Sequence, residues 1–442
     1  MLNLKKKNLK SNSEVDSYHL EKYKEPHKKR KMIYFLSTLM ILSLGIFIFY
    51  KSYAFYEEKK DFNVINGVVE DPGDIYYAYY VNNTITRYFP TKDSGLTLDT
   101  TKSSCTSGVT ISWDDDNWHA ILDYSNYQKN STTRTKCTLY FRKKPPLATT
   151  ILNNLVSGAN TSSTDVYTVP NKTSDSCTYT LAYDGTSDNN LRYVGANPCN
   201  YVTFNGEEAG WRIIGILNTP EGQRMKLIST YPVEHLKWDV NDWTKSSLQT
   251  LLNSGAYYNR TTGKYYNGRD LDFTDYGLTG TAKNQIDTIT WKLGGTTFED
   301  SHSNGLASHW YTCERGTTVY TGSSTEWQGK VGLMYPSDYG YATSGGTSMN
   351  RASCLAKELY NWSGASDCYN NDWLYNSNNW QWTLTPYSSS DEEVVDIDRD
   401  GSVSENYGHI MNSLAVRPSV YLISKTSILG GEGTRENPYE IG

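Results

Sequence analysis

Residues 211–217 read WRIIGIL, and residues 225–229 read MKLIS, with Asn218, Thr219, Pro220, Glu221 and Gly222 between them. Two short apolar runs rich in β-branched residues, broken by a Pro/Gly turn, read as a buried hairpin. This hairpin opens the core of the larger domain, placed at 171–425, and makes a sheet its dominant layer.

Outward from the hairpin, Leu248, Leu251 and Leu252 share one helical face, with Ser246 as start signal and Gly255 as terminator. Ile286, Ile289 and Leu293 suggest a second helix closed by Gly294 and Gly295. Further strands are expected at 331–334, 382–385, 394–397 and 416–423. The expectation is an α+β domain. Ten of the twelve tryptophans lie beyond residue 200 in a chain only 37% hydrophobic, so large rings must supply much of that core.

Upstream, 148–170 is a Ser/Thr-rich linker opening with a short helix. Residues 67–147 alternate like strands: Val109, Ile111 and Trp113, then Trp118, Ala120 and Leu122, then Cys137, Leu139 and Phe141, with Asn82 and Asn83 as a hairpin turn. They predict a small all-β, sandwich-like module. Residues 51–66 form a stalk, and 426–442 a C-terminal tail. Residues 32–50, MIYFLSTLMILSLGIFIFY, carry no charge, Pro or His. At about 1.5 Å per residue they span roughly 30 Å, a bilayer's hydrocarbon core. The preceding 1–31 holds ten Lys or Arg against four Asp or Glu, a basic cytoplasmic tail that would place everything after Lys51 outside. The expectation is a single-pass signal-anchor helix in the cell membrane.

The chain carries net charge −6, and removing the tail leaves 32 basic against 44 acidic residues. Such a surface repels phosphate backbones, so nucleic acid is not expected as a partner. All seven cysteines follow the apolar run, and none sits in a CxxC pair. Local groupings join Cys105 with Cys137, Cys177 with Cys199, and Cys354 with Cys368, leaving Cys313 alone; buried reduced thiols are the competing reading.

The order WRIIGILN (211–218), SSLQTLLN (246–253), VGLMYPSDYG (331–340), WTLTPYS (382–388) and AVRPSVYLIS (415–424) resembles a domain of unknown function frequent in surface and secreted proteins of low-GC Gram-positive bacteria. That domain is similar to the formylglycine-generating-enzyme and C-type-lectin-like group of folds. The resemblance implies a compact α+β domain with a small twisted sheet and long ordered loops. SSCTSGVTISWDDDNW (103–118) and TKCTLYF (135–141) resemble small β-modules of such proteins. The ending from Gly430 to Tyr439 is similar to a G-x-G-T-x-x-N-P-Y signature at module edges. The resemblance supplies no agreed activity.

Four constellations carry chemistry. Asp396, Asp398, Asp400 and Gly401 match the first part of an EF-hand loop, but position 12 is Tyr407 rather than Glu, and a plain hairpin is the favoured reading. Glu299, Asp300, His302, His309, Cys313 and Glu314 cluster, with His309 and Cys313 four apart on one helix face. Their spacing fits no standard zinc pattern, and no metal or other cofactor is assigned. There is no G-x-S-x-G or H-E-x-x-H motif, and no catalytic residue is assigned. The oxidase branch of the resembling fold uses a reactive cysteine pair, whereas Cys354 and Cys368 read as structural. Trp362, Asn371, Asp372, Trp373, Asn379 and Trp380 combine flat rings with amides and a carboxylate, the groups that recognise sugars. They are the candidate ligand surface.

The reading is a membrane-anchored extracellular binding or adhesion protein, with glycan as first ligand and protein as second. Its alternatives are a metal-dependent cell-surface enzyme using His302, His309 and Cys313, and a purely structural surface protein.

Overall fold

The computed structural model describes residues 76–442 apart from 115–116, 128–134, 145–147, 158–159, 162–165, 170–171 and 173. The basic tail, apolar run and stalk expected at 1–66 lie outside them. The chain forms two compact units that meet at residues 144 and 145.

In the first unit, one sheet runs in the order Thr84–Thr86, Tyr76–Val81, Lys136–Lys143, Leu96–Leu98, with Ser104–Cys105 also on Lys136–Lys143. Asn82 and Asn83 both take positive φ, as a two-residue hairpin turn requires. Thr110–Asp114 and His119–Asp123 form a separate hairpin. Leu139 and Phe141 bury with Tyr79 and Leu98, and Ile111, Trp113 and Trp118 from the hairpin pack against them. Cys137, in step with Leu139, packs with Val109 and Leu122 and is bonded to Cys105.

The second unit is built on an eleven-stranded sheet centred on the Trp211 hairpin. Its strands are Glu207–Thr219 and Gly222–Ser229, and every residue from Trp211 to Leu217 is buried. Ser419–Tyr421 and then Val331–Gly332 extend the sheet on one side. On the other side Glu207–Thr219 divides its pairing. Its first part faces Tyr201–Phe204 and its second part faces Leu191–Tyr193. Gly215 sits at an irregularity in the hairpin register. A Cβ there would fall 2.1 Å from the Leu191 carbonyl oxygen, so only glycine lets the two backbones meet. Residues 426–442, read as a C-terminal tail, join the sheet: Tyr439–Ile441 pairs with Tyr201–Phe204 and with Ile428–Gly430. A second sheet runs Glu234–Leu236, Leu414–Val416, Gln381–Pro386, Val394–Ile397, Val403–Ser404.

One large hydrophobic core and two small clusters, around Ala182 and Tyr311, lie in this unit, whose largest fully buried side chains include seven tryptophans. A buried ionic network crosses it. Asp338 receives Lys226 Nζ at 2.5 Å and Arg192 Nη1 at 2.8 Å, and Arg192 Nε reaches Asp184 at 3.0 Å. Rings of Tyr335, Trp291 and Tyr421 surround the Lys226 ammonium.

These elements correct the expected α+β, lectin-like class with its membrane helix. The described chain is mostly strand, and its longest helix, Ala148–Ser157, has ten residues. No helix among the described residues is long and apolar enough to cross a membrane, which needs about 20 residues. The single-pass placement in the cell membrane is therefore not supported. The bias toward strand follows from composition: Tyr, Thr, Trp and β-branched residues dominate, in short runs cut by Gly and Asn. The helix expected around Ile286 to Leu293 shows the same bias. Gly280–Gln285 is helical, but Ile289–Lys292 is a strand that buries Ile289 and Trp291 alternately and pairs with Glu326–Gly329.

Three cysteine pairs are bonded: Cys105 with Cys137, Cys177 with Cys199, and Cys354 with Cys368. Cys313 is free and half-buried.

Candidate functional site

Of the six residues expected to face a ligand, three are buried. Trp362 lies in a short 3-10 turn with its ring 5.2 Å from Tyr339. Trp373 gives its indole N–H to the Tyr193 carbonyl at 3.0 Å, and the Arg212 guanidinium sits over its ring at 4.5 Å. Asp372 accepts from the Leu374 amide at 2.9 Å, and burial pushes its carboxyl well above the usual range. Asn371 turns inward to the Asp367 carbonyl at 2.9 Å. Only Asn379 and Trp380 share a half-exposed edge, where Asn379 Oδ1 lies 2.8 Å from His235 Nε2. The Trp380 ring is engaged by Tyr407 at 4.3 Å and by the Arg399 guanidinium at 4.5 Å. The structure therefore does not bring the six together as one surface. In a chain this poor in aliphatic residues the rings are consumed by the core.

The other constellations separate in the same way. Asp396 and Ile397 pair with Ser404 and Val403, so the EF-hand-like stretch is a hairpin. Asp398 Oδ2 takes hydrogen bonds from Ser402, Ser404 and Asn406. His302 stacks on Tyr360 and meets Glu405 at 3.0 Å, away from His309. Glu314 is buried and accepts from the Ser337 amide and hydroxyl.

What the fold does assemble is an open cleft of about 300 Å³ at the open end of the Trp211 hairpin. Glu207, Gly210 and Trp211 come from the start of the long strand, and Ser229 from the end of its partner. Tyr231, Pro232 and Val233 follow that strand, and Tyr257 and Tyr276 close the far side. Tyr231 and Tyr276 are exposed at the rim, while Trp211 and Tyr257 are buried at the base. Gly210 makes room: a Cβ there would lie 2.5 Å from Glu207 Cβ.

Glu207 is the one ionisable carboxyl in the lining. Its Oε1 accepts from Asn205 Nδ2 at 2.8 Å, and Asn205 is itself tied to the Gly277 carbonyl and the Thr279 amide. Burial raises the Glu207 carboxyl above its ordinary value, against Asn205, Arg260 and the Trp211 indole, which favour the charged form. At the rim, the Tyr231 hydroxyl accepts from Arg435 Nη2 at 2.9 Å. The result is a fixed acceptor among aromatic side chains, in a volume at the lower end of small-ligand sites, about 300–1,000 Å³.

Comparison with protein-family models, with curated proteins and with solved structures finds no match to this chain. The cleft therefore has to be judged by its own chemistry. Sequence reasoning missed it because its lining is spread from Glu207 to Tyr276 with no motif spacing. The available signal was weak: a tyrosine and a proline placed directly after an apolar strand.

Proposed function

We propose that this chain is a binding protein of an oxidising compartment, and that the Glu207 cleft takes a sugar residue of a glycan. The observation that carries the reading is the cleft itself, in which tyrosine and tryptophan rings surround a positioned carboxylate. A sugar presents an apolar face to rings and hydroxyls to acceptors, so both wall types have a use. Three bonded cysteine pairs support the compartment, because disulfides persist where thiols are not kept reduced.

The test is a glycan array probed with the full chain, followed by calorimetry on the best hit. Tyr231→Ala removes an exposed ring, and Glu207→Gln keeps shape while removing charge. An aromatic contact of this kind contributes about 0.5–1.5 kcal/mol, so Tyr231→Ala should weaken binding up to about tenfold. An array without hits, or a hit that ignores both substitutions, overturns the proposal.

A further inference from the structure

We propose that Asp300, His309 and Cys313 form a mononuclear zinc-class metal site with one open coordination position. The site uses none of the residues that line the glycan cleft, so the two proposals stand or fall separately.

Two short helices build it. Phe298–Asn304 starts at Thr297, whose hydroxyl accepts from the Asp300 amide at 3.2 Å and sets the carboxylate at the first turn. Ala307–Glu314 follows after Gly305 and Leu306, and it carries His309 and Cys313 one turn apart on the same face. A Cβ on Gly305 would sit 2.1 Å from the Ser301 carbonyl, so glycine is what allows the second helix to double back. His309 Nε2 then lies 2.6 Å from Asp300 Oδ2 and 3.3 Å from Cys313 Sγ. All three donor atoms fall within 4.8 Å of one another, and all three side chains are half-exposed.

The convergence on a single imidazole nitrogen is the deciding feature. In a nucleophilic Cys-His-Asp relay the thiol and the carboxylate use different ring nitrogens, so that one orients the base for the other. Here both address Nε2. If Nε2 carries a proton it donates to Asp300, and the thiol finds no acceptor there; if it is bare it can accept from the thiol, and it then faces the carboxylate lone pair to lone pair. A divalent cation removes the conflict, because thiolate, imidazole and carboxylate all point electron pairs at one spot. Tetrahedral zinc with Zn–N, Zn–O and Zn–S bonds of about 2.0–2.3 Å separates its donors by roughly 3.3–3.6 Å. The sulfur-to-nitrogen distance already fits, and the carboxylate needs to withdraw by less than about 1 Å.

The donor set also chooses the metal. A thiolate with an imidazole selects zinc-like ions over magnesium or calcium, which want oxygen. Three protein ligands rather than four leave a position for water or a small ligand. Outer contacts hold the carboxylate: Thr296 Oγ1 donates to Asp300 Oδ2 at 2.5 Å, and Asn304 Nδ2 donates to Oδ1 at 2.9 Å. Such partners orient metal ligands, and losing one typically costs about 10–100-fold in affinity. The site also accounts for the one free cysteine among three bonded pairs: as a ligand it is shielded from oxidation.

The experiment uses the purified full chain without reductant, stripped with chelator and titrated with Co²⁺ and then Zn²⁺. One equivalent of Co²⁺ should give a tetrahedral visible spectrum with a thiolate-to-cobalt band in the near ultraviolet, displaced by one equivalent of Zn²⁺. Zn²⁺ should also protect Cys313 from a thiol reagent that labels the stripped protein. Cys313→Ser should abolish the near-ultraviolet band, and Asp300→Asn should weaken Zn²⁺ binding at least about 10-fold. Thr296→Val, which removes a hydroxyl that contacts both the Asp300 carboxylate and the Cys313 sulfur, should weaken it by about 10–100-fold while keeping one metal per chain. Far-ultraviolet circular dichroism of each variant checks folding, and labelling of the unaltered chain gives a readout that needs no variant. A cobalt spectrum without the thiolate band, or equal Cys313 labelling with and without Zn²⁺, overturns the proposal.

Discussion

Asp338 sits at the centre of the larger unit between Lys226 and Arg192, with all three side chains at 1% exposure or less. Burial alone would raise its carboxyl, but Lys226 and Arg192 outweigh burial and hold it well below the ordinary value of 3.8. A carboxylate with a depressed folded pKa contributes stability that is present above the unfolded value and lost as pH falls through the folded one. Asp338→Asn leaves two cations without their shared anion, and we expect a loss of about 3–5 kcal/mol at neutral pH. Melting curves should show the gap between wild type and variant shrinking once pH drops below about 4. An equal gap at pH 7 and pH 3 would remove the ionic account. Nothing local in the sequence announces this cluster, because its partners lie 112 and 146 residues away from Asp338. The cysteine pairs were legible for the opposite reason: each closes a loop of 32 residues or fewer.

Among the elements, the helix Ser247–Asn253 was legible from its start signal and its buried leucines. The Ser246 hydroxyl accepts from the Leu248 amide at 3.0 Å and donates to the Trp238 carbonyl at 2.8 Å, while Leu248, Leu251 and Leu252 bury. Ser246→Ala removes both contacts and should cost about 1–2 kcal/mol, read by chemical denaturation with an unchanged slope. A cost near zero would mean that the cap is idle. Ile289–Lys292 was not legible, since Ile286, Ile289 and Leu293 satisfy a helical spacing as well as a broken strand. Its true partner strand, Glu326–Gly329, lies opposite it across 34 residues at Lys292 and Glu326 and across 40 at Ile289 and Gly329, beyond any local pattern. The cleft was hidden in the same sense, because four separate elements supply its walls. The aromatic cluster misled for a related reason: composition announces that rings are abundant but not which of them the core will claim.

At the scale of the whole chain, the two units differ in how much core they own. The first buries small groups around Leu139 and Cys137, whereas the second shares one core of more than sixty residues. A unit that small leans on its staple. Replacing Cys105 and Cys137 together by Ser should cost the first unit about 3–4 kcal/mol, from a closed loop of 32 residues. Hydrogen exchange should then show residues 76–144 opening while the protection of 174–442 is unchanged. Equal loss of protection in both units would show that they do not unfold independently. Residues 148–170, read as a linker, fall inside the second unit, where Ala148 and Leu152 are buried in its core and Val166–Thr168 joins its sheet. Placement in a membrane was inferred from 32–50 and the basic residues before it, and no described helix supports it.

The pairing of Tyr439–Ile441 with Tyr201–Phe204 carries a consequence for the way the protein behaves in crowded solution. That final segment blocks the hydrogen-bonding flank of a strand that would otherwise invite company. Clipped after residue 425, the chain would offer this flank to whatever strand arrived first, and at high concentration the first arrivals are its own copies. Residues 428–441 thus cover the flank of Tyr201–Phe204 from within the chain and leave Ile428–Gly430 as the outer strand there.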